Sequence, residues 1–245
     1  MRNLSILGLV FFLGLGVQAA WARPQATNAQ TLATIQDKIY HTNVFKHGQV
    51  TATFENGVAT LEGTVDNLGS RLDAARAAKK VPGVTSVVNN IRVHVNGFNP
   101  QQMLEQARKQ VVTYYAYWIF DNVQLEAQGQ RLIVTGQVTQ PYKKTDLGRI
   151  LERVKGVAAL ENKLQVLPVS HYDDILRWQL ARAIYGNSVL FNYGNRAVPP
   201  IHIIVDNGNV TLEGAVASKM DRQIAGMVAR DTGLSFSVTN NLRVA

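Results

Sequence analysis

Apolar and polar residues alternate with a period of two in three places along the chain, each time beginning at a turn signal and ending in Gly-x-Val. The clearest copy reads Asn207-Gly208-Asn209-Val210-Thr211-Leu212-Glu213-Gly214-Ala215-Val216. An earlier copy reads Asn56-Gly57-Val58-Ala59-Thr60-Leu61-Glu62-Gly63-Thr64-Val65, and a more divergent one runs Gly129-Gln130-Arg131-Leu132-Ile133-Val134-Thr135-Gly136-Gln137-Val138. Asn-Gly before an alternating run is the chemistry of a tight hairpin turn leading into a half-buried strand. The glycines Gly63, Gly136 and Gly214 lie 73 and 78 residues apart. The repeating unit is therefore a small domain and not a solenoid rung of about 20 to 50 residues.

Further elements recur around each copy in the same order. In the first unit Leu32, Ile35 and Ile39 share one helical face, Val50 to Phe54 alternates as a strand, and Ala59, Leu61, Gly63 and Val65 form the inward side of its partner. A second helix is expected from about Leu68 to Lys80, with Ala74, Ala77, Ala78 and Val81 as its core stripe. Leu147, Ile150, Leu151 and Val154 align with that stripe in the second unit, and Ala225, Val228, Ala229 and Thr232 in the third. A glycine turn follows at Gly83, Gly156 and Gly233, and then a last strand closes with Val93, Val166 or Val244. The unit is thus helix, strand, strand, helix, strand: a three-stranded mixed sheet packed by two helices, an α+β fold in two layers. The six recurring glycines are structural candidates. A side chain at Gly136 or Gly214 is expected to crowd a close approach of two backbones.

The pattern Gly-x-Val-x-Leu-x-Gly-x-Val, a helix, Gly-Val-x-x-Val and Asn-x-Leu/Ile-x-Val resembles the BON domain, in three tandem copies spanning residues 27–96, 99–167 and 170–245. The middle copy departs from it at Leu132-Ile133-Val134 and at Lys163, which stands where the others have a second asparagine. The resemblance implies the same two-layer fold and a non-enzymatic protein of the Gram-negative periplasm. It further implies attachment to anionic phospholipid, at an outer or inner membrane surface, or support of envelope integrity under osmotic stress. The alternative is a periplasmic protein-interaction scaffold or chaperone-like adaptor, docking envelope proteins on its sheet faces.

Residues 1–22 have the form of an export signal: Arg2 ahead of an apolar run from Leu4 to Val17, then the small-x-small site Ala20-Trp21-Ala22. That run is shorter than the roughly 20 residues of a membrane-spanning helix, so cleavage after Ala22 and periplasmic location are expected. A polar, flexible lead is expected from Arg23 to about Gln30. With no cysteine in the chain, there is neither a disulfide nor a lipid-bearing cysteine, and the units must hold by packing alone. Hydrophobic residues make up 46% and charged residues 17%, the balance of a globular chain. The formal net charge of +8 has two readings, general solubility or attraction to an anionic partner, with nucleic acid not expected.

The second unit opens with an aromatic segment, Val111-Val112-Thr113-Tyr114-Tyr115-Ala116-Tyr117-Trp118-Ile119-Phe120. Continued as a helix, it places Leu104, Val111, Tyr115 and Trp118 on a core stripe, with Tyr114 and Tyr117 beside it. An apolar ring with a polar tip suits either a membrane interface or the seam with a neighbouring unit. Lys143 and Lys144, after Tyr142, add cationic contacts. In the third unit Asp173 is a candidate helix cap and Leu176, Leu180 and Ala183 a core stripe, with Ile184 beside it. The connection from Phe191 to Pro200 contributes Phe191, Tyr193 and Arg196 to the candidate lipid-binding set, unless its aromatics simply cover the core.

No catalytic signature is present. His41, His47, His94, His171 and His202 fall in different elements without metal-ligand spacing, and there is no G-x-S-x-G elbow or phosphate-binding glycine loop. No cofactor or metal is expected. Asp173 and Asp174 are adjacent and diverge on a helix. Glu62 and Glu213 lie opposite the buried leucines, where their expected role is solubility.

Overall fold

The computed structural model describes residues 27–245; the export-signal reading and the first half of the polar lead lie outside them. What remains of that lead is helical. Helix α1 (Asn28–Tyr40) starts in a capping box, with Thr27 Oγ1 accepting from the Gln30 amide and the Gln30 side chain accepting from the Thr27 amide.

Strand β1 (Gly48–Glu55) turns antiparallel into β2 (Val58–Val65) through Asn56 and Gly57, both at positive φ as a two-residue hairpin turn demands. Helix α2 (Leu68–Lys79), capped by Asn67, then crosses over to β3 (Ser86–Val93), which pairs parallel with β2. The second unit repeats this order with α3 (Pro100–Thr113), β4 (Asn122–Gln128), β5 (Arg131–Val138), α4 (Pro141–Leu151), and a last strand split into β6 (Ala159–Asn162) and β7 (Gln165–Val166). The third has α5 (His171–Gly186), a single-turn α6 (Phe191–Gly194), β8 (Ile201–Asp206), β9 (Asn209–Val216), α7 (Lys219–Asp231), and the split strand β10 (Ser237–Asn240) and β11 (Arg243–Val244). Three α+β units result, each a mixed sheet with the repeated alternating strand at its centre.

Each unit has its own apolar core between sheet and helices. Ile35, Leu61 and Ile91 anchor the first, Met103, Leu132 and Leu164 the second, and Leu180, Leu212 and Leu242 the third. Two recurring polar devices tie sheet to helix and backbone to backbone. Asn89, Asn162 and Asn240 each donate Nδ2 to a carbonyl of the crossover helix, on Arg71, Lys144 and Arg222. Each also accepts, on Oδ1, the amide two residues on. At Gly63, Gly136 and Gly214, φ is +130°, +110° and +113°, and a Cβ would lie 2.1, 2.1 and 1.9 Å from the carbonyl oxygens of Gln49, Asn122 and Pro200.

Two sequence expectations fail at helix ends. Helix α3 stops at Thr113 instead of continuing through the aromatic run, so Tyr115 and Trp118 leave the core stripe and stand 86% and 48% exposed. The residues there are β-branched and aromatic, the types that lose most side-chain freedom in a helix. Asp173 does not cap α5; Ser170 does, accepting from the Asp173 amide. The Asp173 carboxylate is instead buried and accepts the amides of Asn207 and Gly208 at 2.9 and 2.8 Å, pinning the hairpin turn of the clearest repeat.

The units are joined by specific contacts. Leu68 and Gly69, in the first turn of α2, donate their amides to the Val157 and Glu152 carbonyls of the second unit at 2.8 and 2.7 Å. The second unit thereby satisfies two of the amides that a helix start leaves orphaned. Gly156 returns a bond to the Asp66 carbonyl, Arg153 pairs with Asp73 at 2.7 Å, and Phe98 packs on Gly156. Between the second and third units, the Ile203 amide on edge strand β8 donates to the Ile119 carbonyl at 2.7 Å. Ile119 and Phe120 are then buried in the third unit's core, so the chain just after α3 completes a domain that is not its own.

Candidate functional site

The seven residues singled out for lipid contact divide by environment. Tyr114 is only 7% exposed and donates its hydroxyl to Asp146 Oδ2 at 2.8 Å; burial, reinforced by that carboxylate, raises its pKa. Lys143 is also 7% exposed, its Nζ 2.7 Å from Asp121 Oδ2 and 2.8 Å from Thr139 Oγ1. Tyr193 lies in the third core, donating to Asp221 Oδ2 and accepting from the Ala217 amide. These three are therefore internal, and their assignment to a membrane surface is corrected: each polar tip is satisfied by a partner distant in sequence. Tyr117 is half-buried with its ring 5.5 Å from His202, and burial pushes its pKa up to about 12. Lys144 is half-buried on α4, and only Phe191 and Arg196 are fully at the surface.

What the junction of the second and third units does present is an apolar cavity of about 430 Å³. Trp118, Ile119, Trp178 and Tyr185 supply its aromatic and aliphatic walls, and Arg182 and Arg196 its cations. Trp178 projects from α5 and is 61% exposed, its ring set edge-on to Phe120 at 5.1 Å. Arg182 stands one helical turn beyond it. Arg196 lies over the Tyr193 ring at 5.5 Å, and exposed Phe191 belongs to the same short helix as Tyr193.

A buried ion pair sets the position of Trp118. Asp121 is wholly buried; its Oδ2 accepts the Trp118 amide at 3.0 Å and its Oδ1 accepts the Thr139 amide and hydroxyl at 2.8 and 3.0 Å. Lys143 neutralises this carboxylate from α4. The lysine read as a headgroup contact thus works from inside, holding the turn that carries an exposed tryptophan. Trp178 and Arg182 were missed in the sequence. The available signal was a tryptophan lying off the Leu176–Leu180–Ile184 stripe, on a helix whose buried face that stripe had already filled.

Two exposed tryptophans with arginines beside them can take an amphipathic surface, rings against apolar matter and guanidinium groups against anions. No three histidine, cysteine or acidic side chains converge among the described residues, and no described helix is long and apolar enough to cross a membrane.

Residues 27–94, 102–168 and 187–245 each match the family model of the BON domain. Comparison with curated proteins gave no match. Among solved structures, the chain is similar to the C-terminal domain of CdsD, the structural protein of the Type III secretion system of Chlamydia trachomatis. Identity is 15% over 85% of this chain and 96% of that one, with a TM-score of 0.25. A second CdsD structure gives 17% identity over 86% and 92%, TM-score 0.26. The PrgH periplasmic domain gives 11% over 86% and 99%, TM-score 0.23. Overlays this loose do not bear on function.

Proposed function

Starting from the chain's membership of the BON domain family, we propose that it is a non-enzymatic protein of the periplasmic envelope. It attaches reversibly to anionic phospholipid surfaces through the tryptophan and arginine surface at the junction of its second and third units, and so supports envelope integrity. The observation that carries this reading is the pair Trp118 and Trp178, 48% and 61% exposed around one apolar cavity with Arg182 and Arg196 in its lining.

The magnitudes describe weak attachment. Each arginine at an anionic surface contributes on the order of 1 kcal/mol, and fully burying one large apolar side chain about 1.5–3 kcal/mol. Two partly inserted tryptophans and two arginines together reach only the range of a single acyl chain, whose binding is marginal and reversible. Attachment of this kind requires anionic lipid and weakens with salt.

Co-sedimentation of residues 23–245 with neutral and with phosphatidylglycerol-containing vesicles tests it. Binding is expected to the anionic vesicles alone, to fall roughly fivefold for each of Arg182→Gln and Arg196→Gln, and to vanish in the Trp118→Ala/Trp178→Ala variant. Equal binding to both vesicle types, or full binding by the double tryptophan variant, sinks the assignment. No binding to either leaves the protein-docking adaptor as the function to pursue.

A further inference from the structure

The second and third units also enclose a polar cavity of about 490 Å³ on the other side of the Tyr117–Trp118 turn. Arg108 of α3, Tyr117, and Asn122 at the start of β4 contribute from the second unit; His202, Asn241 and Arg243 contribute from the third. Its charge is unbalanced. Glu213 is the only acid in the lining, and its Oε1 is already taken by Asn241 Nδ2 at 2.8 Å. Neither Arg108 nor Arg243 forms an ion pair among the described residues.

His202 is the second observation. It lies on β8, directly across from Glu213, and is only 9% exposed. Its buried Nδ1 meets no hydrogen-bond partner of good geometry among the described residues, and the backbone carbonyls of Asp121 and Trp118 lie against the ring. The groups that face it are the Tyr117 ring, the Asp121 carboxylate and the Trp118 and Asp121 carbonyls from the second unit, and Glu213 from its own sheet. Burial lowers its pKa, so the ring is neutral and keeps one nitrogen able to accept and one able to donate. A cleft with two guanidinium groups outside any ion pair and the buried Asn122 amide in its wall is prepared for a ligand richer in acceptors than water.

We propose that this cleft binds a small soluble phosphate monoester, its phosphoryl group held between Arg108 of the second unit and Arg243 of the third. Guanidinium forks match phosphate oxygens two at a time. A phosphoryl group offers three acceptor oxygens to the two arginines and the Asn122 amide, where a carboxylate offers two. Glu213 keeps one oxygen free, an acceptor for a hydroxyl on the body of the ligand, and the volume exceeds that of bare phosphate. The two walls belong to different units, so a bound monoester bridges them and steadies the turn whose other side carries Trp118.

The test titrates inorganic phosphate and then glycerol 3-phosphate into the chain at ionic strength held constant with chloride, following the thermal midpoint and the NMR ring signals of His202 and Tyr117. Both phosphates are expected to raise the midpoint saturably, glycerol 3-phosphate at least fivefold more tightly. Both ring signals shift, and affinity falls tenfold or more in Arg108→Gln/Arg243→Gln, a pair of exposed positions. A midpoint rise no larger than chloride gives, or an equal response in the double variant, overturns the proposal. If phosphatidylglycerol vesicles move the His202 signal and soluble phosphates do not, the ligand is a lipid headgroup and the soluble-ligand proposal fails. The Trp118→Ala/Trp178→Ala variant keeps its phosphate response whether or not vesicle binding survives, which separates this site from the membrane surface.

Discussion

Replacing Lys143 with methionine is expected to cost about 3–5 kcal/mol, although the sequence presents it as one of two neighbouring surface lysines. The figure follows from what the substitution leaves behind. Asp121 is fully buried and accepts three neutral donors besides the ammonium, from Trp118 and twice from Thr139. Lys143→Met keeps much of the side-chain volume, so the cavity contribution is small, but the carboxylate is stranded without a counter-charge, a loss of about 3–5 kcal/mol. Urea unfolding followed by tryptophan fluorescence suits the measurement, because Trp118 and Trp178 both lie at the junction that the ion pair supports. At a slope of about 2 kcal/mol per molar, the midpoint should fall by roughly 1.5–2.5 M. Lys144→Met, half-buried and outside the pair, is expected to stay within about 0.5 kcal/mol. Adding Asp121→Asn to Lys143→Met removes the stranded charge and should recover about 1–3 kcal/mol. A Lys143→Met cost below about 1 kcal/mol, or no recovery in the double variant, refutes the account of how this turn is held.

Three further outcomes are expected. Asn162→Ala should cost about 1–3 kcal/mol, because it leaves the Lys144 carbonyl and the Leu164 amide without their partner; Lys163→Asn should change stability by less than about 0.5 kcal/mol. Equal effects at the two positions in chemical denaturation would contradict the sheet-to-helix clip. Gly136→Ala should destabilise by more than the ~1–3 kcal/mol of an unfavourable backbone conformation alone, since its Cβ would meet the Asn122 oxygen at 2.1 Å. A thermal midpoint matching the parent would rule out that close approach. The pH dependence has two limbs. His202 has a folded-state pKa below 6.5, so its contribution is complete above 6.5 and lost as pH falls through the folded value; His202→Gln should flatten that limb. Tyr117 has a folded-state pKa near 12, so stability complete below 10 is lost as pH rises toward 12, and Tyr117→Phe should flatten that one.

The fold could be read in the sequence because its determinants are local and occur three times. Asn-Gly turns, period-two strands and helical stripes each act over fewer than about ten residues, and agreement among three copies excluded coincidence. The middle copy clarifies which positions matter. Its Lys163 replaces an outward asparagine, whereas Asn162, the one that bonds helix to strand, is kept in every unit. The apparent departure therefore falls where the fold makes no demand.

The candidate site was hidden because its determinants are distant. Lys143 and Asp121 are 22 residues apart, and Tyr114 and Asp146 are 32, so nothing near either lysine or tyrosine announces a buried partner. The same amphipathic ring that suits a membrane also suits a core with one acceptor in it, and only the end of α3 at Thr113 decides which tyrosine turns inward. Once Tyr114 is committed to the core, Tyr115 and Trp118 are turned outward and Ile119 and Phe120 are left to fill the third unit. One helix terminus thereby fixes the second core, the junction and the exposed tryptophan together. Moving that terminus, by a stronger helix former at Thr113 or Tyr115, should disturb all three at once, whereas a change to Trp178 should disturb only the surface.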